Sequence, residues 1–461
     1  MTSADSTSAD IVILGGGSGG YACALRASQL GLSVILIEAD KLGGTCLHRG
    51  CIPTKALLHA AEVADAARDS GHFGVKASLE GIDMPAVNSY RDGVVGRLYK
   101  GLQGLVKSRD VTYVEGYGRL TSPTTVEVDG TTYTGRHVVL ATGSYARSLP
   151  GLDIGGRIMT SDQALNLDYV PNSVIVLGGG VIGVEFASVW RSFGTDVRIV
   201  EALPRLVPAE DEAISKAFER AYRKRGIAFS TGVRFASAMQ DDRGVHVTLE
   251  DGTTMEADVL LVAVGRGPRT EGLGYEQAGV AMDRGFVLVD NYLQTNVPGV
   301  FAVGDITPGL QLAHRGFAHG IFVAEHIAGL NPRPIDDVTI PKVTYSEPEI
   351  GSVGLTEAQA RDKHGDDNVT VYEYNLGGNG KSQILATTGF IKLVQLKDGP
   401  VIGVHMIGSR IGEQIGEAQA IVNWEAYPED VATLIHAHPT QNEAMGEAHL
   451  ALAGKPLHAH A

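Results

Sequence analysis

Cysteine is scarce in this chain: three in 461 residues, Cys23, Cys46 and Cys51, with none beyond. So few, all near one end, exclude a secreted disulfide scaffold. Positive charge is also short, with 38 Lys and Arg against 53 Asp and Glu for a formal net charge of −15. With no basic stripe to offset that balance, nucleic acid is not an expected partner. There is no run of about 20 apolar residues that could span a bilayer, so no membrane is expected either. The opening MTSADSTSAD has neither an apolar signal core nor arginine-rich transit character, which predicts a cytoplasmic protein. Glycine, in contrast, is abundant at 59 residues, well above its usual share of roughly 7%. That surplus points to tight turns and to backbone pressed against bulky ligands. The length calls for roughly two to four domains, because single cores seldom grow past about 250–300 residues.

The glycines are organised by a repeat. The segment DIVILGGGSGGYACALRASQLGLSVILIEAD reads as a buried strand, Ile11 to Leu14, then Gly15, Gly17 and Gly20 in a GxGxxG turn. A helix to about Leu30 and a second strand ending at Glu38 follow. The segment NSVIVLGGGVIGVEFASVWRSFGTDVRIVEA repeats this with Gly178, Gly180, Gly183 and Glu201. Gly15 to Gly178, Gly31 to Gly194 and Glu38 to Glu201 are all 163 residues apart, with no gap. In such units the first glycine makes the turn and the second admits a pyrophosphate. The third packs helix on strand, and the helix N-terminus faces the phosphates. The acid closing the second strand accepts from a ribose 2′-hydroxyl and repels a 2′-phosphate. Two dinucleotides with free 2′-hydroxyls are therefore expected on an α/β frame of two Rossmann-like domains.

Cys46 and Cys51 lie in GGTCLHRGCIPTK, separated by four residues. A regular helix would hold their Cα atoms too far apart for an unstrained bridge. Gly50 and Pro53 predict instead a distorted turn from Cys46 to Cys51, then a helix beginning near Pro53. Cys51 would sit at that helix's positive end, where thiols become acidic, with Lys55 one turn on. A zinc site with His48 lacks a second ligand pair, and two inert core thiols fit poorly between glycines. A redox pair suits the context better, because a dithiol, a flavin and a nicotinamide each move two electrons. Sites for FAD and NAD beside a thiol pair make a coherent relay. Cys23, in the helix after the first glycine turn, reads as a packing residue.

With the two glycine turns, the C-x₄-C segment, ATGS (141–144), TNVPGVFAVGD (295–305) and HAHPTQNE (436–443), the sequence resembles the pyridine nucleotide–disulfide oxidoreductases. The resemblance runs from about Asp10 to about Gly454. It implies an FAD-binding domain over 1–148, an NAD-binding domain over 149–278, a central segment 279–342 that completes the FAD site, and an α+β dimerisation domain over 343–461. By matching position, Cys46 exchanges with substrate, and Cys51 lies against the flavin and forms a charge-transfer pair with it. Lys55 and Glu185 form an ion pair beside the flavin, and Glu38 holds the FAD adenosine ribose. The backbone at Gly118 contacts adenine. Thr142 and Gly143 line the FAD site, and Gly265 the nucleotide region. Asp305 bonds the ribityl and phosphate region, while Ala313 leads a helix pointing at the flavin pyrimidine. His438 is the acid–base histidine serving the other subunit of a homodimer, oriented by Glu443; His436 is structural.

The implied reaction is oxidation of dihydrolipoyl dithiols by NAD⁺. The implied partners are lipoyl domains of the acyltransferase (E2) of a 2-oxo acid dehydrogenase complex, or the glycine cleavage carrier protein. The alternative is an NADH-dependent reductase of another small disulfide. Glu201, with only Arg205 nearby, favours NAD over NADP. Three departures from the family pattern stand out: Arg269, His319, and the glycine-rich loop Leu376–Gln383, all expected to lie off the relay.

Overall fold

The computed structural model describes residues 7–458. The strands Ser8–Leu14 and Val34–Glu38 pair in parallel, and Val111–Glu115 adds to the far side. Thr131–Leu140 joins the first strand on its other side and leads to the antiparallel strands Thr125–Val128 and Gly118–Ser122. The last strand of this sheet comes from far along the chain: Val300–Ala302 pairs in parallel with Val138–Leu140. A second sheet, entirely parallel, runs 228–231, 196–201, 173–177, 259–262 and 158–160. Its central strands Ser173–Leu177 and Val259–Val262, like Ile11–Leu14, are nearly continuous Val/Ile/Leu runs because both faces are covered, one by helices and the other by the antiparallel strands Val245–Leu249 and Thr254–Ala257. The C-terminal sheet is antiparallel, in the order 342–344, 349–354, 401–408, 390–396, 369–375, and the helix Ile411–Asn423 packs on it.

Two seams place the functional residues. The helix Ser18–Gln29 lies against Ala313–Ile327 with glycines at the crossing: a Cβ on Gly320 would sit 2.2 Å from the Gly19 carbonyl oxygen. The returning segment is thereby locked onto the first glycine turn. The helix Cys51–Asp69 packs on Val181–Phe193 of the second sheet, and Leu57, Ala61 and Ala64 share one core with Val184, Ala187 and Ile350. This core joins the cysteine helix to both later sheets. A buried cation reinforces the join: Lys392 Nζ lies 2.8 Å from Asp211 and 2.7 Å from Glu357.

The cysteine segment differs from its expected form. Gly44–Arg49 is a short helix and Cys51–Asp69 begins at Cys51, with the break confined to Gly50 (φ −138°, ψ −111°). A Cβ on Gly50 would come 3.0 Å from the Thr45 carbonyl oxygen, so a glycine there lets the two helices abut. Two helical pieces with a one-residue hinge bring the thiols together where a single helix would hold them apart.

Candidate active site

Both glycine turns have the same internal geometry. Gly15 and Gly178 adopt φ of +108° and +105°, open to glycine but strained for other residues. A Cβ on Gly20 would meet Gly15 O at 1.8 Å, and one on Gly183 would meet Gly178 O at 1.9 Å. The first and third glycines are thus explained within the chain. The second ones are not. A Cβ on Gly17 would reach only Gly44 Cα at 4.0 Å, and one on Gly180 would meet nothing within 4 Å. The helices that follow start at these glycines with no side-chain cap on their free N–H groups. Open space before uncapped helix N-termini fits pyrophosphate, so the residues suit two dinucleotides. Glu38 accepts from Gly16 N (2.6 Å) and Asp40 N (2.8 Å), and Glu201 from Gly179 N (2.6 Å) and Leu203 N (2.7 Å). These bonds hold each carboxylate at the end of its strand, beside the turn.

The remaining expected flavin-side residues gather around the first turn. Thr142 Oγ1 donates to Arg269 O (2.5 Å), and the Gly143 carbonyl accepts from Arg269 N (2.8 Å). Arg269 therefore serves through its backbone, which a different side chain leaves intact. Gly143 and Gly265, at φ +73° and +105°, face open space. Asp305 accepts from Ser144 Oγ (2.5 Å), which in turn accepts from Arg266 Nε (2.8 Å). The helix Ala313–Ile327 begins at Ala313 without a side-chain cap. His319 is buried and accepts from Gly304 N at 3.3 Å. Burial and the neighbouring Arg315 push its pKa down to about 4, so it stays neutral. Gly118 has a packing reason of its own: a Cβ there would strike Leu14 Cδ1 at 2.5 Å.

Cys46 and Cys51 are both free thiols, partly buried, and hydrogen-bonded to each other. That bond separates their acidities. Cys46 is pushed far up, by the bond and by burial. Cys51 is pushed down to about 7, first by the bond from Cys46 and then by the Lys55 charge, against burial. Cys51 is also the first residue of its helix, where the macrodipole favours a thiolate. Lys55 bonds both Glu185 oxygens, at 2.9 and 2.8 Å. Burial alone would lower the Lys55 pKa, but the Glu185 carboxylate raises it. Tyr345, which sequence reasoning missed, supports this pair: its N–H donates to Glu185 at 2.9 Å and its ring lies 4.7 Å from Lys55 Nζ. His48 is 2.9 Å from Leu42 O, and Cys23 is fully buried, its thiol raised to about 12 by burial.

His438 lies on the C-terminal unit, its side chain 78% exposed, with Nδ1 2.8 Å from Glu443 Oε1. The second Glu443 oxygen accepts from Thr440 N at 2.8 Å. Burial opposes ionisation of Glu443, but these two bonds hold its pKa below the usual carboxylate value. His436 is turned away, its Nε2 2.7 Å from Glu417. The loop Leu376–Gln383, expected off the relay, packs beneath this segment: Asn379 Nδ2 donates to Thr440 O at 2.9 Å. The roles of Ser144, Arg266, Tyr345 and Asn379 were not read from the sequence, because each depends on a bond to a partner distant in the chain. Among the described residues no helix is long and apolar enough to cross a membrane.

Comparison with known proteins gives a consistent match. The pyridine nucleotide-disulphide oxidoreductase profile matches residues 9–320, and that family's dimerisation domain matches residues 340–449. A dihydrolipoyl dehydrogenase of Bacillus subtilis is 40% identical over 473 aligned positions, covering 98% of this chain and 99% of that protein. One from Thermus scotoductus is 39% identical over 97% of this chain and 98% of its own length. Among solved structures, LpdA from Mycobacterium tuberculosis superimposes with a TM-score of 0.90 at 28% identity, over 97% of this chain and 99% of that one. With a turn-and-acid unit used twice, a thiol pair at a helix start and full-length agreement, the chain belongs to the pyridine nucleotide-disulphide oxidoreductase family.

Proposed function

We propose that the chain has dihydrolipoyl dehydrogenase activity, oxidising dihydrolipoyl groups with NAD⁺ through Cys46, Cys51 and FAD in a cytoplasmic homodimer. The observation that carries the reading is the thiol pair at a helix start beside the Lys55–Glu185 ion pair, in a chain whose full-length relatives bear that name. Gly15, Gly17, Gly20, Glu38, Gly118, Thr142, Gly143, Asp305 and Ala313 would hold FAD. Gly178, Gly180, Gly183, Glu201 and Gly265 would hold NAD. The domain limits 1–148, 149–278, 279–342 and 343–461 follow from the same reading, supported by the three largest sheets.

FAD, when bound, supplies a carrier between thiolate and nicotinamide. The chain's own residues account for the rest. A substrate thiolate attacks Cys46 Sγ of the oxidised pair; the sulfur–sulfur bond breaks and Cys51 leaves as thiolate. The second substrate thiol expels Cys46 and closes the substrate disulfide, so the dithiol loses the two electrons that the pair gains. Cys51 suits the leaving role because its thiol is the acidic one. Cys46, expelled in the second step, takes up a proton as it leaves. His438 receives a dithiol proton, and Glu443 fixes Nδ1 so that Nε2 is free to take it. The family's dimerisation domain carries His438, which supports its delivery across a homodimer. The partner class is then a lipoyl-bearing acyltransferase or glycine cleavage carrier.

The test is NADH formation from dihydrolipoamide and NAD⁺ by the purified flavin-loaded protein, beside Cys46→Ser and His438→Ala. Turnover in the wild type with at least about hundredfold loss in both variants is expected, in line with general acid–base contributions. Negligible wild-type turnover would overturn the reading in favour of another disulfide reduced by NADH.

A further inference from the structure

Between the helices Pro428–Val431 and Glu443–Leu452 the chain has no regular structure, yet it carries His438. Its shape therefore rests on side-chain bonds: besides Glu443 and a 2.7 Å bond from Thr440 Oγ1 to Ala437 O, three groups supply them. Glu417 bonds His436 Nε2 at 2.7 Å and accepts from Asn442 Nδ2 at 2.6 Å, while Gln441 Nε2 donates to Ser409 O at 2.9 Å. The third is Asn379, which is 3% exposed and comes from the glycine-rich loop of the same unit.

Asn379 uses both ends of its amide. Oδ1 accepts from Ser382 N (2.8 Å) and Ser382 Oγ (3.0 Å), which fixes the side chain to its own loop. Nδ2 donates to Thr440 O at 2.9 Å. The same Thr440 donates its N–H to Glu443 Oε2 at 2.8 Å, and Glu443 Oε1 holds His438 Nδ1 at 2.8 Å. One line of bonds thus runs from Asn379 through Thr440 and Glu443 to His438. The neighbouring bonds to Glu417 and Ser409 act on residues either side of this line, not on Thr440.

We propose that Asn379 is a positioning residue for the acid–base histidine: it anchors Thr440 so that Glu443 presents His438 in one orientation and tautomer. The proposal rests on the reading that His438 moves the substrate proton. A donor is required at this position. Aspartate has the same shape and keeps the acceptor for Ser382 but has nothing to give Thr440 O, whose carbonyl it would repel. A buried, doubly bonded amide also resists the rotation that a surface side chain would allow.

The experiment uses the flavin-loaded full chain with Asn379→Asp and Asn379→Ala, each also placed in a Glu443→Gln background. Two activities are read: NAD⁺ reduction by dihydrolipoamide, which needs His438, and ferricyanide reduction by NADH, which does not. Loss of one aligned hydrogen bond predicts about a tenfold lower kcat for dihydrolipoamide in both single variants. KM and the ferricyanide rate should stay within about twofold, and the Asn379 effect should shrink in the Glu443→Gln background because both act on one unit. Equal loss of both activities, or full additivity with Glu443→Gln, would show a merely structural role and overturn the proposal. Unchanged dihydrolipoamide turnover in Asn379→Asp would overturn it as well. A wild type that reduces ferricyanide but does not turn over dihydrolipoamide would remove the parent reading and this proposal with it.

Discussion

From Gly15 to Glu38 and from Gly178 to Glu201 the chain makes the same turn twice, and the copies diverge where each meets the rest of the molecule. Both turns are closed by a returning strap: Gly43 N donates to Gly16 O and Val207 N to Gly179 O, each at 2.8 Å. The first strap is glycine-rich, presses Gly44 against Gly17 and runs straight into Cys46. The second carries Val207 at φ +43° and runs into Glu210 and Asp211, which bond Ser352 and Lys392 of the C-terminal unit. The helices diverge too. Position 185 of the second copy corresponds to Ala22 of the first, and the carboxylate there reaches Lys55. The fold of a nucleotide turn is thus separable from its duty: the bonds inside the turn are kept, and only outward-facing positions decide which chemistry it serves.

The strongest way to break this comparison is to spoil each third glycine in turn. In Gly20→Ala the new Cβ would lie 1.8 Å from Gly15 O, a backbone atom that cannot move aside. Overpacking of this kind costs about 3 kcal/mol, and the protein should emerge from gel filtration without flavin absorbance. Gly183→Ala carries the same local fault but should keep its flavin and lose NAD⁺ affinity. The reverse pattern would exchange the roles of the two turns.

Glu185→Gln should have the next largest effect. Lys55 loses its counter-charge, but its side chain is 32% exposed and water offsets part of the loss; about 2 kcal/mol is expected in urea unfolding. The Glu185 charge also raises the Cys51 pKa, so its removal should move the alkylation midpoint of Cys51 below about 7. Smaller still are Glu38→Gln and Glu201→Gln, each replacing one of two amide-accepting oxygens by a donor. A loss of about 1 kcal/mol is expected for each, with NADP⁺ acceptance improving only in Glu201→Gln. The smallest is a pH effect on the reduced protein. Cys51 has a folded pKa of about 7 against 9.0 unfolded, so its ionisation contributes full stability above pH 9. That contribution is lost as pH falls through 7. The gap in Tm between reduced wild type and Cys51→Ala should narrow from pH 9 to pH 6.

The two turns were legible because their constraints are local: three glycines, an apolar strand and an acid occupy one short window, and repetition at one offset excludes coincidence. The C-x₄-C pair was legible as redox chemistry, but not its form. Two helices hinged at Gly50 depend on how Gly50 meets Thr45 O, which no periodicity reveals. The Lys55–Glu185 pair spans 130 positions and was reached only by resemblance. The bond of Asn379 was missed because its partner is a backbone carbonyl, present at every residue and therefore silent in sequence. Ser144 and Arg266 were missed for a related reason: the line of bonds from Arg266 through Ser144 to Asp305 exists only once three distant segments have met.

The pairing of Val300–Ala302 with Val138–Leu140 has a consequence for how the molecule is made. The sheet whose first strand leaves the ribosome earliest receives its last strand only after the whole second sheet has emerged. A chain growing from its N-terminus can complete the second, purely parallel sheet while the first still shows a bare edge beside Val138–Leu140. The unit begun first is therefore finished last, and the nascent chain carries that open edge through more than a hundred residues of synthesis.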